Sequence, residues 1–150
     1  MKALQILLPP VYLLLCLVLM GLLDYRVPLF EFNNVITLTA GIFVMLAGLV
    51  QILLCARLFS RAATPIIPFE PSTQLITGGI YRYSRNPIYL GMFIMLCGAA
   101  LILGSVSAVL VMPVFYLVIL HGYISYEETF LTNIFGEQYR RYCGRVRRWL

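Results

Sequence analysis

Apolar residues along this chain fall into long runs rather than the sparse stripes of a soluble surface helix, and short clusters of charge, Pro and Gly separate the runs. The first extends from about Leu4 to Leu23, with Pro9-Pro10 in its opening turns, where missing backbone donors cost least. Asp24, Tyr25 and Arg26 end it. A second runs from Val35 to about Ala56 and is closed by Arg57 and Arg61. The third covers Pro87 to Leu103, Gly104-Ser105 interrupts, and the fourth covers Val106 to about Tyr123. Each run approaches the roughly 20 residues that a helix needs to cross a bilayer. So short a break between the last two predicts an antiparallel helical hairpin. The pattern as a whole predicts an all-α integral membrane bundle of about four spans.

Two segments depart from this rhythm. From Ser60 to Asn86, Pro65, Pro68, Pro71 and Gly78-Gly79 forbid a continuous helix and predict a long loop. Beyond the fourth run, Phe130, Leu131, Ile134 and Phe135, then Tyr139, Tyr142 and Val146, recur at three- and four-residue spacing among charged positions. This predicts a C-terminal amphipathic helix on the membrane surface, weakened by Gly136 and Gly144. Residues 1–150 then form one membrane domain, with 1–59 as anchor helices and 60–150 as the region expected to bind cofactor and do chemistry.

Composition agrees and narrows the class. Hydrophobic residues make up 61% of the chain, charged ones 11%, and mean hydropathy is +0.91, which excludes an ordinary soluble domain. Lys2 precedes a run too long for a signal peptide and without a small-residue cleavage site, so the first span is expected to be retained. Cys16, Cys55, Cys97 and Cys143 form no CxxC pair, and neither a disulfide framework nor a metal site is expected. Net charge is +5, and Arg140, Arg141, Arg145, Arg147 and Arg148 gather just before Trp149. In a membrane protein such a cluster fits anionic headgroups of the bilayer better than nucleic acid. Arg57, Arg61, Arg82 and Arg85 fall in the second connection and Arg26 stands alone in the first. The bias toward positive charge on the inner side therefore places both termini and the Pro/Gly loop in the cytoplasm.

Three features stand out against the apolar background: Gly78-Gly79-Ile80-Tyr81-Arg82-Tyr83-Ser84-Arg85-Asn86-Pro87-Ile88-Tyr89-Leu90-Gly91, the pair Glu127-Glu128, and Phe135-Gly136-Glu137-Gln138-Tyr139. Polar groups this dense at a membrane boundary suggest a ligand. In this order and spacing they resemble the isoprenylcysteine carboxyl methyltransferase and phospholipid methyltransferase superfamily of membrane enzymes, over roughly Pro65 to Leu150. The resemblance implies S-adenosylmethionine (SAM) as cofactor, bound by Arg85, Asn86, Pro87, Tyr89, Gly91, Glu127 and Glu128. Isoprenylcysteine enzymes of this superfamily usually carry His before the Pro. Asn86 is instead similar to phosphatidylethanolamine N-methyltransferases and to many small bacterial members, which points away from a prenylcysteine substrate.

The residue chemistry runs parallel to the resemblance. SAM carries a carboxylate, an ammonium, ribose hydroxyls and a sulfonium, so its site needs a guanidinium or helix N-terminus for the first and acceptors for the next two. Arg85 and the start of the third span suit the carboxylate, and Glu127 and Glu128 suit the others. Sulfonium charge disappears during methyl transfer, so a carboxylate against sulfur would favour the ground state. Aromatic faces such as Tyr81, Tyr89 or Tyr126 are better neighbours there. Gly91 would admit a helix or the cofactor close to the backbone. His121 precedes Glu128 by seven residues, hence on a similar helix face, and could accept a proton from an amine substrate. Arg85, Glu128 and His121 are therefore the expected catalytic residues, and the acceptor is expected to be amphiphilic and to enter from the bilayer.

Each feature has a plainer meaning. The arginines would serve as positive-inside anchors, the tyrosines as an interfacial belt, the glutamates as a solvated first turn and His121 as an interfacial group. Two other functions stay open on the sequence: a membrane reductase with a nicotinamide cofactor, since sterol reductases resemble the same superfamily, and a non-catalytic lipid-binding protein.

Overall fold

The computed structural model describes residues 7–65 and 74–150. Lys2, the start of the first run at Leu4, and Pro68 and Pro71 lie outside the described residues. The helices are α1 (Pro9–Arg26), α2 (Val35–Arg61), α3 (Pro87–Leu103), α4 (Val106–Val109), α5 (Met112–Ile119) and α6 (Ser125–Arg145). A 3₁₀ turn spans Gly79–Arg82 and a π turn Leu120–Ile124. Among the described residues no strand forms, and one isolated bridge joins Glu31 to Ser105. The expected all-α membrane bundle is what the chain builds.

Local chemistry explains the starts and stops. Pro9-Pro10 open α1, where absent N–H groups have no intrahelical partner to lose. Asn34 caps α2, its side chain accepting from the backbone N–H of Ile36 (2.8 Å) and Thr37 (2.9 Å), while Thr37 Oγ1 accepts from the Asn34 N–H (3.1 Å). The helix continues past Ala56 through Arg61, because helix-compatible residues carry it beyond the purely apolar run.

α3 lies at the centre. Its Tyr89, Met92, Leu96, Ala99 and Ala100 form a core with Leu13, Cys16 and Met20 of α1 and with Ala108, Val111, Phe115, Ile119, Tyr123 and Ile124 from the last run. On its other side α2 packs antiparallel and very close. A Cβ on Gly98 would lie 2.7 Å from the Gly41 carbonyl oxygen, and one on Gly48 would lie 2.6 Å from that of Gly91. The outward sides of α1 and α2 stay apolar and exposed at Leu14, Leu15, Val18, Leu22, Phe43, Leu46, Val50 and Leu53. Such surface needs lipid to cover it, and three stretches, Pro9–Arg26, Val35–Arg61 and Val106–Arg145, are long and apolar enough to cross a membrane. α3, at 17 residues, is slightly shorter and largely enclosed by the others.

The expected hairpin forms. Gly104 takes the left-handed conformation (φ 65°) that closes α3, and ring contacts then pair Phe93 with Tyr116 (6.4 Å) and Tyr89 with Tyr123 (6.3 Å) in antiparallel order. The residues around this turn are tied to the α1–α2 connection, with Phe32 N–H donating to the Gly104 carbonyl (2.7 Å) and Val106 N–H to that of Leu29 (2.9 Å). This end of the bundle is therefore latched, and residues 78–86 and the C-terminus occupy the other.

The last third differs from expectation. The fourth run is not one helix: Pro113 at the start of α5 has no N–H to continue the ladder from α4, so the chain turns at Leu110 and Val111. The π turn then leads without interruption into α6, which bends at Gly136 (φ 50°, ψ −119°). The residues after the bend do not lie free on a surface. Tyr139, Tyr142 and Val146 are buried in a second small core with Leu75, Leu131, Phe135 and Cys143.

Candidate active site

The segment before α3 is shaped by its own polar groups and then locked to the C-terminus. Ser84 is buried and its Oγ accepts from the Asn86 N–H (3.1 Å), turning the chain just before Pro87 starts α3. Gln51 of α2 donates to the Pro87 carbonyl (2.7 Å), occupying one of the groups at the start of that helix. Tyr142 OH donates to the Tyr81 carbonyl (2.7 Å) and ties the 3₁₀ turn to α6.

Beyond α6 the backbone becomes extended at Val146 and runs back along residues 84–86. Arg85 N–H donates to the Arg147 carbonyl (3.0 Å), and the Arg148 carbonyl accepts from both Asn86 Nδ2 (3.1 Å) and Ser84 Oγ (3.4 Å). Trp149 then settles against Tyr116 with ring centroids 5.4 Å apart.

This return brings charge to the two glutamates at the start of α6, which project about 100° apart around the helix. Glu127 accepts from Tyr89 OH (2.6 Å). Glu128 is gripped by Arg148 through Nε (3.0 Å) and Nη2 (2.7 Å), a bidentate pair, while Arg85 Nη1 lies 3.3 Å from Oε1, the oxygen that also accepts from Arg148 Nε. The side chains of Arg85 and Glu128 are 14% and 18% exposed and that of Arg148 42%, so the inner pair is shielded from water and the outer one only partly. The hydrogen bonds to Glu128, the largest cause, raise the Arg148 guanidinium above its ordinary value and keep it charged. Arg85 Nη1 also donates to Cys143 Sγ, yet Arg85 Nε is buried with no hydrogen-bond partner among the described residues. An open cleft of about 400 Å³ borders the cluster, lined by Ser125, Glu128, Thr129, Thr132, Asn133 and Arg148.

The arrangement unites segments that the chain holds 38 residues apart at Tyr89 and Glu127. Comparison with known sequences gives it a family: the model of phospholipid methyltransferases matches residues 36–138, from α2 into α6, and so includes both halves of the site. The chain belongs to the phospholipid methyltransferase family. Similar proteins include the protein-S-isoprenylcysteine O-methyltransferase of Schizosaccharomyces pombe, 35% identical over 72 residues (48% of this chain, 30% of the relative), and protein-S-isoprenylcysteine O-methyltransferase A of Arabidopsis thaliana, 38% identical over 81 residues (53% and 41%). An uncharacterized protein of Haemophilus influenzae is 44% identical over 63 residues, 42% of this chain and all of the relative. The chain thus spans less than half the length of these two named methyltransferases.

Within this phospholipid methyltransferase fold, the expected site residues sort into three groups. Arg85, Asn86, Pro87, Tyr89, Glu127 and Glu128 gather around the start of α3, and Tyr81 is buried beside them beneath Tyr142. Gly91 faces α2, where an added Cβ would lie 2.8 Å from Ile52 Cγ1 and 3.0 Å from the Gly48 carbonyl oxygen, so a helix takes up the space it leaves. His121 is exposed in the π turn, its side chain without a hydrogen bond or ion pair among the described residues. The wider π turn also alters the register between His121 and Glu128 on which the shared face was argued. Tyr126 is exposed as well.

The sequence alone does not bring Arg148 to this cluster, because a run of arginines after an amphipathic stretch reads as a headgroup anchor. The available signal was Val146 and Trp149, apolar residues on either side of Arg147-Arg148, which pull the tail back onto the protein. Tyr89→Phe should remove the Glu127 bond alone. We expect stability to fall by about 1–3 kcal/mol, the cost of leaving a buried acceptor without its donor, read from the unfolding midpoint in detergent.

Proposed function

We propose that this chain is a membrane-embedded methyltransferase that uses SAM and acts on an amphiphilic, lipid-like acceptor. The supporting observation is the meeting of Arg85, Asn86 and Tyr89 with Glu127 and Glu128 inside the region that matches the family. The residues fit the cofactor's chemistry. The buried, unpartnered Nε of Arg85 is a donor available to a carboxylate, and two adjacent carboxylates offer acceptors to an ammonium and ribose hydroxyls. Bound there, SAM would supply an electrophilic methyl group on sulfur.

The protein's own part is positioning and exclusion of water. Arg85 and the start of α3 orient the carboxylate end, and Glu127 and Glu128 hold the amine and ribose. Tyr81 and Tyr89 present aromatic faces that stabilise a cation without fixing it as tightly as a carboxylate would. Pro87 and Tyr89, both buried, keep the start of α3 dry. Gly91 contributes by letting α2 close against α3, and His121 would serve only an acceptor that must lose a proton. Residues 60–150 carry this site and 1–59 anchor it, with α2 as one wall. The apolar outer faces of α1 and α2 suit an acceptor arriving from lipid. The bias of Arg toward the loop and tail supports both termini lying on the cytoplasmic side, and the likeness of Asn86 to small bacterial members supports a bacterial inner membrane location.

The test is to supply methyl-labelled SAM to membranes with and without the chain and to separate the products. Label should enter a lipid-extractable or lipid-modified fraction only with the unaltered chain and be lost with Glu128→Gln. Saturable NADPH binding without SAM binding would establish the reductase alternative instead. Full function in Glu128→Ala and Asn86→Ala, with loss on removing Arg145 and Arg147, would favour a non-catalytic lipid-binding role.

A further inference from the structure

The cluster around Glu128 contains more positive charge than its anion needs, and the excess comes from the end of the chain. Two guanidinium groups meet at the one carboxylate of Glu128. The two arginines do not share Glu128 equally. Arg148 holds both carboxylate oxygens at 3.0 and 2.7 Å in the planar, bidentate arrangement that guanidinium favours, whereas Arg85 makes one longer contact at 3.3 Å. Arg148 is also fixed through its backbone, since its carbonyl accepts from Ser84 and Asn86 while Val146 is buried before it and Trp149 stacks after it. Nothing about a headgroup anchor requires such bonds. They place one guanidinium at one carboxylate.

We propose that residues 146–150 form a strap that completes the site, and that Arg148 is a positioning residue which neutralises Glu128 so that Arg85 remains available to an anionic ligand group. A guanidinium satisfied by its own carboxylate attracts a second carboxylate weakly. One whose neighbour is held elsewhere attracts it strongly, more so in a partly shielded site. Arg85 has the second character in this structure, with Nε unpartnered and only Nη1 directed at Glu128. Without Arg148, Glu128 would turn fully to Arg85 and satisfy it. The inference rests on the methyl-donor reading and adds to it a residue that recognises the donor's carboxylate indirectly.

The experiment compares SAM with decarboxylated SAM, which keeps the adenosine, sulfonium and amine and lacks only the carboxylate. Affinities are measured calorimetrically on the full chain in detergent, for the unaltered protein, Arg148→Gln and Arg148→Lys. Arg148→Gln should weaken SAM about tenfold or more, the low end for a charge-assisted bond, and leave decarboxylated SAM unchanged. Arg148→Lys keeps the charge and should retain most of the SAM affinity. Equal loss for both ligands, or no loss for either, would overturn the inference while leaving the donor reading intact. Absence of saturable SAM binding by the unaltered chain would overturn both.

Discussion

Glu128→Ala is expected to cost about 3 kcal/mol of stability and to lower SAM affinity by about two orders of magnitude. It removes the one anion that lets Arg85 and Arg148 sit on the same spot. Deleting one member of a buried pair costs about 3–5 kcal/mol, because the partner stays desolvated and uncompensated, and the partial exposure of Arg148 puts this case at the lower edge. Three kcal/mol corresponds to roughly a hundredfold in an equilibrium constant. Thermal unfolding and calorimetric titration of the same preparation read the two effects separately. The double substitution Glu128→Ala with Arg148→Ala provides the internal control. Removing the freed guanidinium should recover part of the lost stability, a coupling of about 0.5–3 kcal/mol, but none of the affinity. Unchanged titration in Glu128→Ala would remove Glu128 from the donor site.

The recovery expected in that control depends on the C-terminal strap, the part of the site least legible in the sequence. Gly78 to Gly91 and Glu127-Glu128 were readable because the chemistry there is local and ordered: Pro87 must begin a helix, and acids beside a span must meet something. Their convergence follows from an antiparallel hairpin that Gly104-Ser105 already announces. Arg148 obeys no local rule. Its place depends on an extended residue at Val146, a carbonyl offered to Asn86 and a ring surface at Tyr116, three partners from three segments. Asn86 shows the same limit from the other side. Its identity bears on substrate in the sequence, and in the fold its buried amide also holds the tail.

The helices divide in the same way. Run length located four apolar stretches well, since the bilayer fixes the length a helix needs. It could not locate the π turn at Leu120–Ile124, which contains Gly122 and buries Tyr123 and Ile124 in the core. That turn changes the register between His121 and Glu128. Pro113 was a visible breaker in the fourth run, and the split between α4 and α5 is its direct consequence.

The paired glycines of α2 and α3 give the second large effect, and they connect the membrane-embedded part of the fold to the site. Gly48→Ala is expected to lower stability by about 1–3 kcal/mol and to weaken SAM binding, because its Cβ would lie 2.6 Å from the Gly91 carbonyl oxygen and 2.9 Å from the Met95 nitrogen. Both are backbone atoms of α3, so rotating a side chain cannot relieve the overlap and the helices must separate. Separation at this level strains the bond from Gln51 to the Pro87 carbonyl and displaces Tyr89, two residues on, from Glu127. Gly98→Ala meets an equally close backbone, 2.6 Å from the Met45 nitrogen, but two helical turns farther from the site. It should therefore destabilise as much while affecting SAM affinity less. Gly21→Ala is the matched control, since nothing lies within 4 Å of its Cβ and the substitution should be neutral or stabilising by up to about 1 kcal/mol through helix propensity. Unfolding midpoints in detergent and SAM titrations on all three variants separate the effects. If Gly48→Ala and Gly98→Ala weakened SAM to the same degree, the contact between α2 and α3 would serve the fold alone. A loss confined to Gly48→Ala would show that the start of α3 is held in place from across the helix pair.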